Sequence, residues 1–236
     1  MAESSKEAPG QPGEKPHWSS SGAKSGIGKA LNAASNVSFT LSHGIINEVY
    51  FPSEDIVCVD EIGFIVTDGK NFLAEERRNT DHEIKMVDEG IPAYSMRNKC
   101  KEEKFVIEKE VITDPLRNTL LQCVTFKPLQ ESIHQYHLYM FLSPRIKNNG
   151  DGNNGWVGTY KGVPMIFAER DGITLAAACS IPWKKRSVGF SGVSDGVKEL
   201  LENKKMVNEY EEAYRGNIMI TAEIDLDSTK NSELVI

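Results

Sequence analysis

Two residues of proton-moving type stand close together in the sequence: His43 and Glu48, inside the run SFTLSHGIINEVYFP at residues 38–52. An imidazole and a carboxylate placed together can pass a proton to and from a sugar hydroxyl. Ser42 and Asn47 add hydrogen-bonding groups to the same run, and Tyr50 adds an aromatic ring. The plainer reading is structural: His43 bonds a backbone carbonyl in a bend, and Glu48 caps or pairs nearby. Trp18, Tyr50, Trp156 and Trp183 offer planes for the apolar C–H faces of sugar rings, and serve equally well as core or interface anchors. Glycosidic cleavage needs an acid and a base held several ångströms apart in a pocket. The adjacent acids Glu75-Glu76, Glu102-Glu103 and Glu211-Glu212 fall in polar runs and read instead as solvated faces.

Other chemistries find little support. Cys58, Cys100, Cys123 and Cys179 are scattered with no C-x-x-C pair, so a structural zinc site is not indicated. Their strand-like surroundings make all four read as buried thiols. Residues 22–30, GAKSGIGKA, have Ala23 where a phosphate-binding loop needs its first glycine and Ala30 where it needs a hydroxyl. Residues 151–155, DGNNG, begin like a calcium loop, but the later ligands fail and a polar turn fits better. The glycosylation pattern at Asn36-Val37-Ser38 sits at a strand entrance in a chain without an export signal and reads as chance. No cofactor or metal is implied.

The elements that would position these groups are strands. Val37, Phe39 and Leu41 alternate with Ser38, Thr40 and Ser42, the period of a half-buried strand. Ser42-His43-Gly44 breaks that pattern, an extended run resumes to Pro52, and residues 62–66 are almost wholly apolar. Phe105, Ile107 and Val111 share one strand face, with Glu108 and Glu110 on the other. Thr113-Asp114-Pro115-Leu116 reads as a turn. Residues 119–126 and 133–142 read as strands, the second apolar on both faces and so requiring a layer above and below. Asp171-Gly172 predicts a hairpin between residues 165–169 and 173–179. Helical signal is confined to a segment capped by Ser194 and carrying Val197, Leu200 and Leu201. Many short strands separated by turn residues predict an all-β fold, an antiparallel two-sheet β-sandwich with at most one or two short helices.

Composition sets the remaining bounds. The 236 residues are 39% apolar and 26% charged, ordinary values for a globular chain. A net charge of −7 argues against a nucleic-acid surface, and no apolar run is long enough to predict a membrane span. Residues 1–16, rich in proline and glycine, are expected to be a flexible arm, with residues 17–236 forming one domain. The N-terminus has no apolar export core, so a cytoplasmic location is expected unless a signal has been removed. Glu233-Leu234-Val235-Ile236 reads as a strand just beginning, with the expectation that the sandwich is cut short there.

A family resemblance rests on motifs spread over nearly the whole chain. They are Ala8-Pro9-Gly10, Pro16-His17-Trp18, Ser25-Gly26-Ile27-Gly28, the run FTLSHGIINEVYFP at residues 39–52, GFIVTDG at 63–69, TDPLRN at 113–118, GFSGVSDG at 189–196 and YRGN at 214–217. In this order they resemble the N-terminal domain of prokaryotic glucoamylases and glucodextranases of glycoside hydrolase family 15. The resemblance implies a large sandwich similar to galactose mutarotase, joined in the family to an (α/α)6 barrel that carries two catalytic glutamates. This chain lacks the helices for such a barrel, so no catalytic residue is carried over. The implied role is a non-catalytic module that supports that barrel, its partner in the same polypeptide, with an α-glucan oligosaccharide as a further candidate ligand. On this view Trp18, Ser42, His43, Asn47, Glu48 and Tyr50 lie at an interdomain surface or a substrate rim. A stand-alone mutarotase-like enzyme using His43 and Glu48, and a carbohydrate-binding module, are the alternatives.

Overall fold

The computed structural model describes residues 6–18, 22–32, 34–229 and 232–236. Regular structure opens with β1 (Gly26–Lys29), β2 (Ser38–Ser42), β3 (Ile45–Tyr50) and the long β4 (Val57–Thr67). Next, β5 (Leu73–Glu75) leads into a single helical turn, α1 (Glu76–Asn79). A four-strand meander follows: β6 (Thr80–Met86), β7 (Tyr94–Cys100), β8 (Phe105–Thr113) and β9 (Leu120–Pro128). Then come β10 (His137–Pro144), β11 (Asn153–Tyr160), β12 (Val163–Arg170), β13 (Ile173–Ala177) and β14 (Trp183–Phe190). The chain closes with α2 (Gly196–Asn203), β15 (Glu212–Gly216), β16 (Ile218–Ile224) and β17 (Glu233–Val235).

All the named strands pair antiparallel, in an eight-stranded sheet ordered β1-β2-β3-β4-β10-β16-β14 with β5 on β4, and in two smaller sheets. The expected second layer is thus divided, into β13-β12-β11-β15 and β17-β9-β8-β7-β6. The amide of Ser180, just past β13, donates to Val235 O of β17 at 2.8 Å and joins the two halves. One contiguous core lies between the layers, with Phe39, Phe64, Phe105, Phe126, Met140 and Ile220 among its buried side chains. Each such side chain contributes roughly 1.5–3 kcal/mol by leaving water. A second small core, Ile65, Tyr139, Phe141, Leu200 and Met206, lies on the other face of the large sheet under α2. That is how β10 comes to be buried on both faces.

Several expectations are corrected. Residues 6–16 are not a loose arm: the Ala8 amide donates to Glu212 O at 2.8 Å, Glu14 N to Ser191 O at 2.9 Å, and Asn217 N to Pro12 O at 2.8 Å. Backbone pairing holds this proline-rich segment although it has almost nothing to bury; residues 1–5 lie outside the described residues. Ser38, Thr40 and Ser42 are buried rather than solvent-facing, because the segment before β1 lies near them and brings Lys24 to Glu48. Residues 133–135 form a 3-10 turn, not strand. The cap of α2 is Asp195, whose carboxylate accepts from Lys198 N at 2.9 Å; the Ser194 hydroxyl instead accepts from Phe190 N at 3.0 Å. Cys58 and Cys100 are buried as expected, Cys179 is half-buried, and Cys123 is exposed on an outward register position of β9. The last strand is not left unpaired: β17 lies along β9, with Leu234 opposite Val124 and buried.

Candidate functional site

The β2–β3 hairpin carries the chemically suggestive run, and its turn is made by His43 at φ 51° and Gly44 at φ 75°. Two consecutive left-handed residues are what a two-residue hairpin with the native strand twist requires. Gly44 is needed twice over, since a Cβ there would run into Asn98 Oδ1 from the opposing layer.

Beneath the turn lies a group that sequence reasoning missed. Lys109 of β8 and Glu76 of α1 form an ion pair at 2.7 Å, with both side chains fully buried. The Lys109 ammonium also donates to Gly44 O at 2.7 Å. Asn98 Nδ2 donates to the same carbonyl at 2.8 Å and to Glu76 Oε1. The second carboxylate oxygen of Glu76 accepts from Phe64 N at 3.2 Å. Burial pushes Lys109 below its ordinary value, and Glu76 opposes that shift. Charges removed from water this far are tolerated only with close partners, and here α1, β4, β7 and β8 supply them. Glu76 had read as part of a solvated acidic face. Its partner left a trace: Lys109 occupies the inward register between Ile107 and Val111, where the alternation calls for an apolar residue.

The other face of the hairpin holds Glu48, 2% exposed. The Thr40 hydroxyl, directly across the strand pair, donates to Glu48 Oε2, and Glu48 N donates to Thr40 Oγ1 at 3.2 Å. Lys24 pairs with Glu48 Oε2 at 2.6 Å. Tyr50 is pushed up to about 12, first by burial and then by the charge and hydrogen bond of Glu48. Asn47 is buried one residue earlier in β3.

His43 takes different partners. At the exposed tip of the turn its Nδ1 meets the Ser42 hydroxyl, and its ring meets His82 edge-on at 5.8 Å. Burial, and then His43, lowers His82 from its ordinary value. Trp18 belongs to a third place. It is 53% exposed, with the Arg145 guanidinium 4.4 Å from its ring. Arg145 Nη2 donates to His17 O at 2.7 Å and Nε lies 3.8 Å from Asp60. Arg145 and Asp60 line a cleft of about 190 Å³ together with Glu14, Glu61 and Ser143. There burial pushes Glu61 above the usual carboxylate range, although Arg77 stands 3.0 Å away. The expected residues therefore divide into Glu48 and Tyr50, held with Thr40 and Lys24 and next to buried Asn47, a Ser42–His43 tip, and Trp18 against the Arg145 that lines the cleft. Of the other aromatics, Trp156 is stacked on Phe167 at 5.2 Å, and Trp183 packs against the core.

This architecture can be set beside known proteins. The family model described as glucodextranase, domain N, matches residues 8–236. The chain belongs to the glucodextranase domain N family. A glucoamylase from Clostridium sp. (strain G0005) is 41% identical to this N domain over 225 residues, covering 95% of the chain and 32% of that protein. The crystal structure of a bacterial glucoamylase complexed with acarbose superposes with a TM-score of 0.94 at 40% identity, over 98% of this chain and 34% of the other. The N domain thus spans about a third of the length of these relatives. Among the described residues no helix is long and apolar enough to cross a membrane, and no group of three or more His, Cys, Asp or Glu side chains could hold a metal ion.

Proposed function

We propose that this N domain is a non-catalytic module of an α-glucan-hydrolysing enzyme of the glucoamylase and glucodextranase type, where it supports an (α/α)6 catalytic domain. The observation that carries the reading is the close likeness, at a TM-score of 0.94, to one third of a bacterial glucoamylase. The local chemistry agrees. Glu48 is held by Lys24, Thr40 and Tyr50 and nearly excluded from solvent, so it is poorly placed to trade protons with a sugar, as a mutarotase would require. What the hairpin offers is rigidity: it is clamped from the inner side by Glu76, Lys109 and Asn98. A rigid, polar, aromatic surface suits docking, and interdomain interfaces of about 600–1,500 Å² stabilise both partners.

The test is a pair of assays on the purified chain. Incubated with maltooligosaccharides or dextran it is expected to release no glucose, and it should not speed the interconversion of glucose anomers followed by polarimetry. Glucose release or faster mutarotation would overturn the reading. In the Clostridium glucoamylase, removing the matched 225 residues should lower thermal stability or turnover.

A further inference from the structure

The cleft beside Arg145 has walls that regular strands would not provide. Where β10 meets β4, Ser143 lies opposite Glu61 but Pro144 lies opposite Val59, so Asp60 is the extra residue of a β-bulge. Consecutive side chains of a regular strand point to opposite faces. A bulge re-aims them, and here Asp60 and Glu61 both line the cleft. Residues 14–17 supply another wall. That wall is fixed: Asn217 Nδ2 donates to Glu14 O at 3.0 Å. Gly150 lets Pro16 approach, since a Cβ there would lie 2.6 Å from Pro16 Cβ. The cleft is formed before any ligand arrives, which removes an ordering cost from binding.

Its chemistry selects among ligand classes. Arg145 is 8% exposed, and its Nε makes no hydrogen bond among the described residues; Asp60, at 3.8 Å, is beyond that reach. A buried donor left this way calls for an acceptor. Ionised Asp60 and Glu61 accept, and the Ser143 hydroxyl of the same cleft both donates and accepts. The carboxylates oppose an anion, and the guanidinium opposes a cation. A neutral molecule dense in hydroxyls satisfies all four groups. At about 190 Å³ the space is smaller than the roughly 300–1,000 Å³ of a drug-sized ligand's pocket, so it suits a single ring. Trp18 follows His17 of the wall and packs on the Arg145 guanidinium, 4.4 Å from its ring centre. Being 53% exposed, the indole also offers a plane to the C–H face of a pyranose.

We propose that this cleft binds one neutral hexose unit, the terminal glucose of an α-glucan chain, with Asp60, Glu61 and Arg145 on its hydroxyls and Trp18 against its ring. The choice of glucose rests on the function proposed above; the neutral, hydroxyl-rich class rests on the cleft alone. Maltotriose added to the purified chain, followed by titration calorimetry and NMR, should bind saturably and shift the side-chain signals of Trp18 and Arg145. Trp18→Ala and Glu61→Gln should each weaken binding at least fivefold. Tyr160→Ala removes an aromatic ring, 56% exposed, at the end of β11, and should leave binding unchanged. Thermal unfolding of each variant checks that it folds, and the shift map locates the sugar without any substitution. No saturable binding, or binding that ignores Trp18→Ala and leaves the cleft signals still, would overturn the site. Tighter binding of glucosamine or glucuronate than of glucose would overturn the neutral class. Neither result touches the non-catalytic role, which is read from glucose release.

Discussion

The two faces of the β2–β3 hairpin are held by the same kind of chemistry under different solvation. On the inner face, Lys109 and Glu76 are fully buried, and their charges are matched by Gly44 O, Asn98 and Phe64 N. On the outer face, Glu48 is nearly buried, but its partner Lys24 keeps 23% of its side chain in solvent. Coulomb attraction and the cost of desolvation both grow as water is excluded. The inner pair should therefore be worth little relative to an apolar replacement of both members, yet very costly to break from one side. The outer pair should be cheaper to break, and sensitive to salt.

Breaking the inner pair is the largest test. Lys109→Met or Glu76→Gln should each destabilise the chain by about 3–5 kcal/mol in urea unfolding, and replacing both residues by apolar ones should recover part of that loss. Single substitutions that cost no more than a surface change would dissolve the contrast. Gly44→Ala acts on the turn between the two regions. It imposes a left-handed alanine at φ 75° against Asn98, and about 1–3 kcal/mol is expected, with the same unfolding measurement as the check. Glu48→Gln on the outer face should cost about 1 kcal/mol, and the difference should shrink in high salt, whereas the Glu76→Gln difference should not.

The smallest test sharpens the outer face by pH. Tyr50 ionises at about 12 instead of its ordinary 10, so the folded chain holds this proton more tightly than the unfolded one. Its contribution is fully present below pH 10 and is lost as pH rises through about 12. Absorbance at 295 nm should show this delayed ionisation, and Glu48→Gln should bring it down toward pH 10. A Tyr50 midpoint unmoved by that substitution would leave burial as the whole cause.

Much of the fold was legible because strand signals are local. The alternation along β8 and β16, the paired turn residues Asp171 and Gly172 at φ 46° and 81°, and the break at His43-Gly44 each act within a few residues of themselves. The candidate site was less legible. His43 and Glu48 are neighbours in sequence, yet the hairpin turn and strand register give them different partners. The acid that matters most for the hairpin, Glu76, was hidden in an acidic pair that looked solvated.

Residue order by itself determined that this chain is a strand-rich sandwich, and where its hairpins turn, because side-chain alternation and left-handed turn residues are properties of short segments. It carried the family as well, since the motifs persist from Ala8 to Asn217. Only the tertiary structure decided that residues 6–16 are pinned to the sandwich, that the second layer splits into two sheets, and that Glu76 and Lys109 meet in the dark. Burial of a charge depends on which distant strands close over it, and that closure is written in no single stretch of the chain.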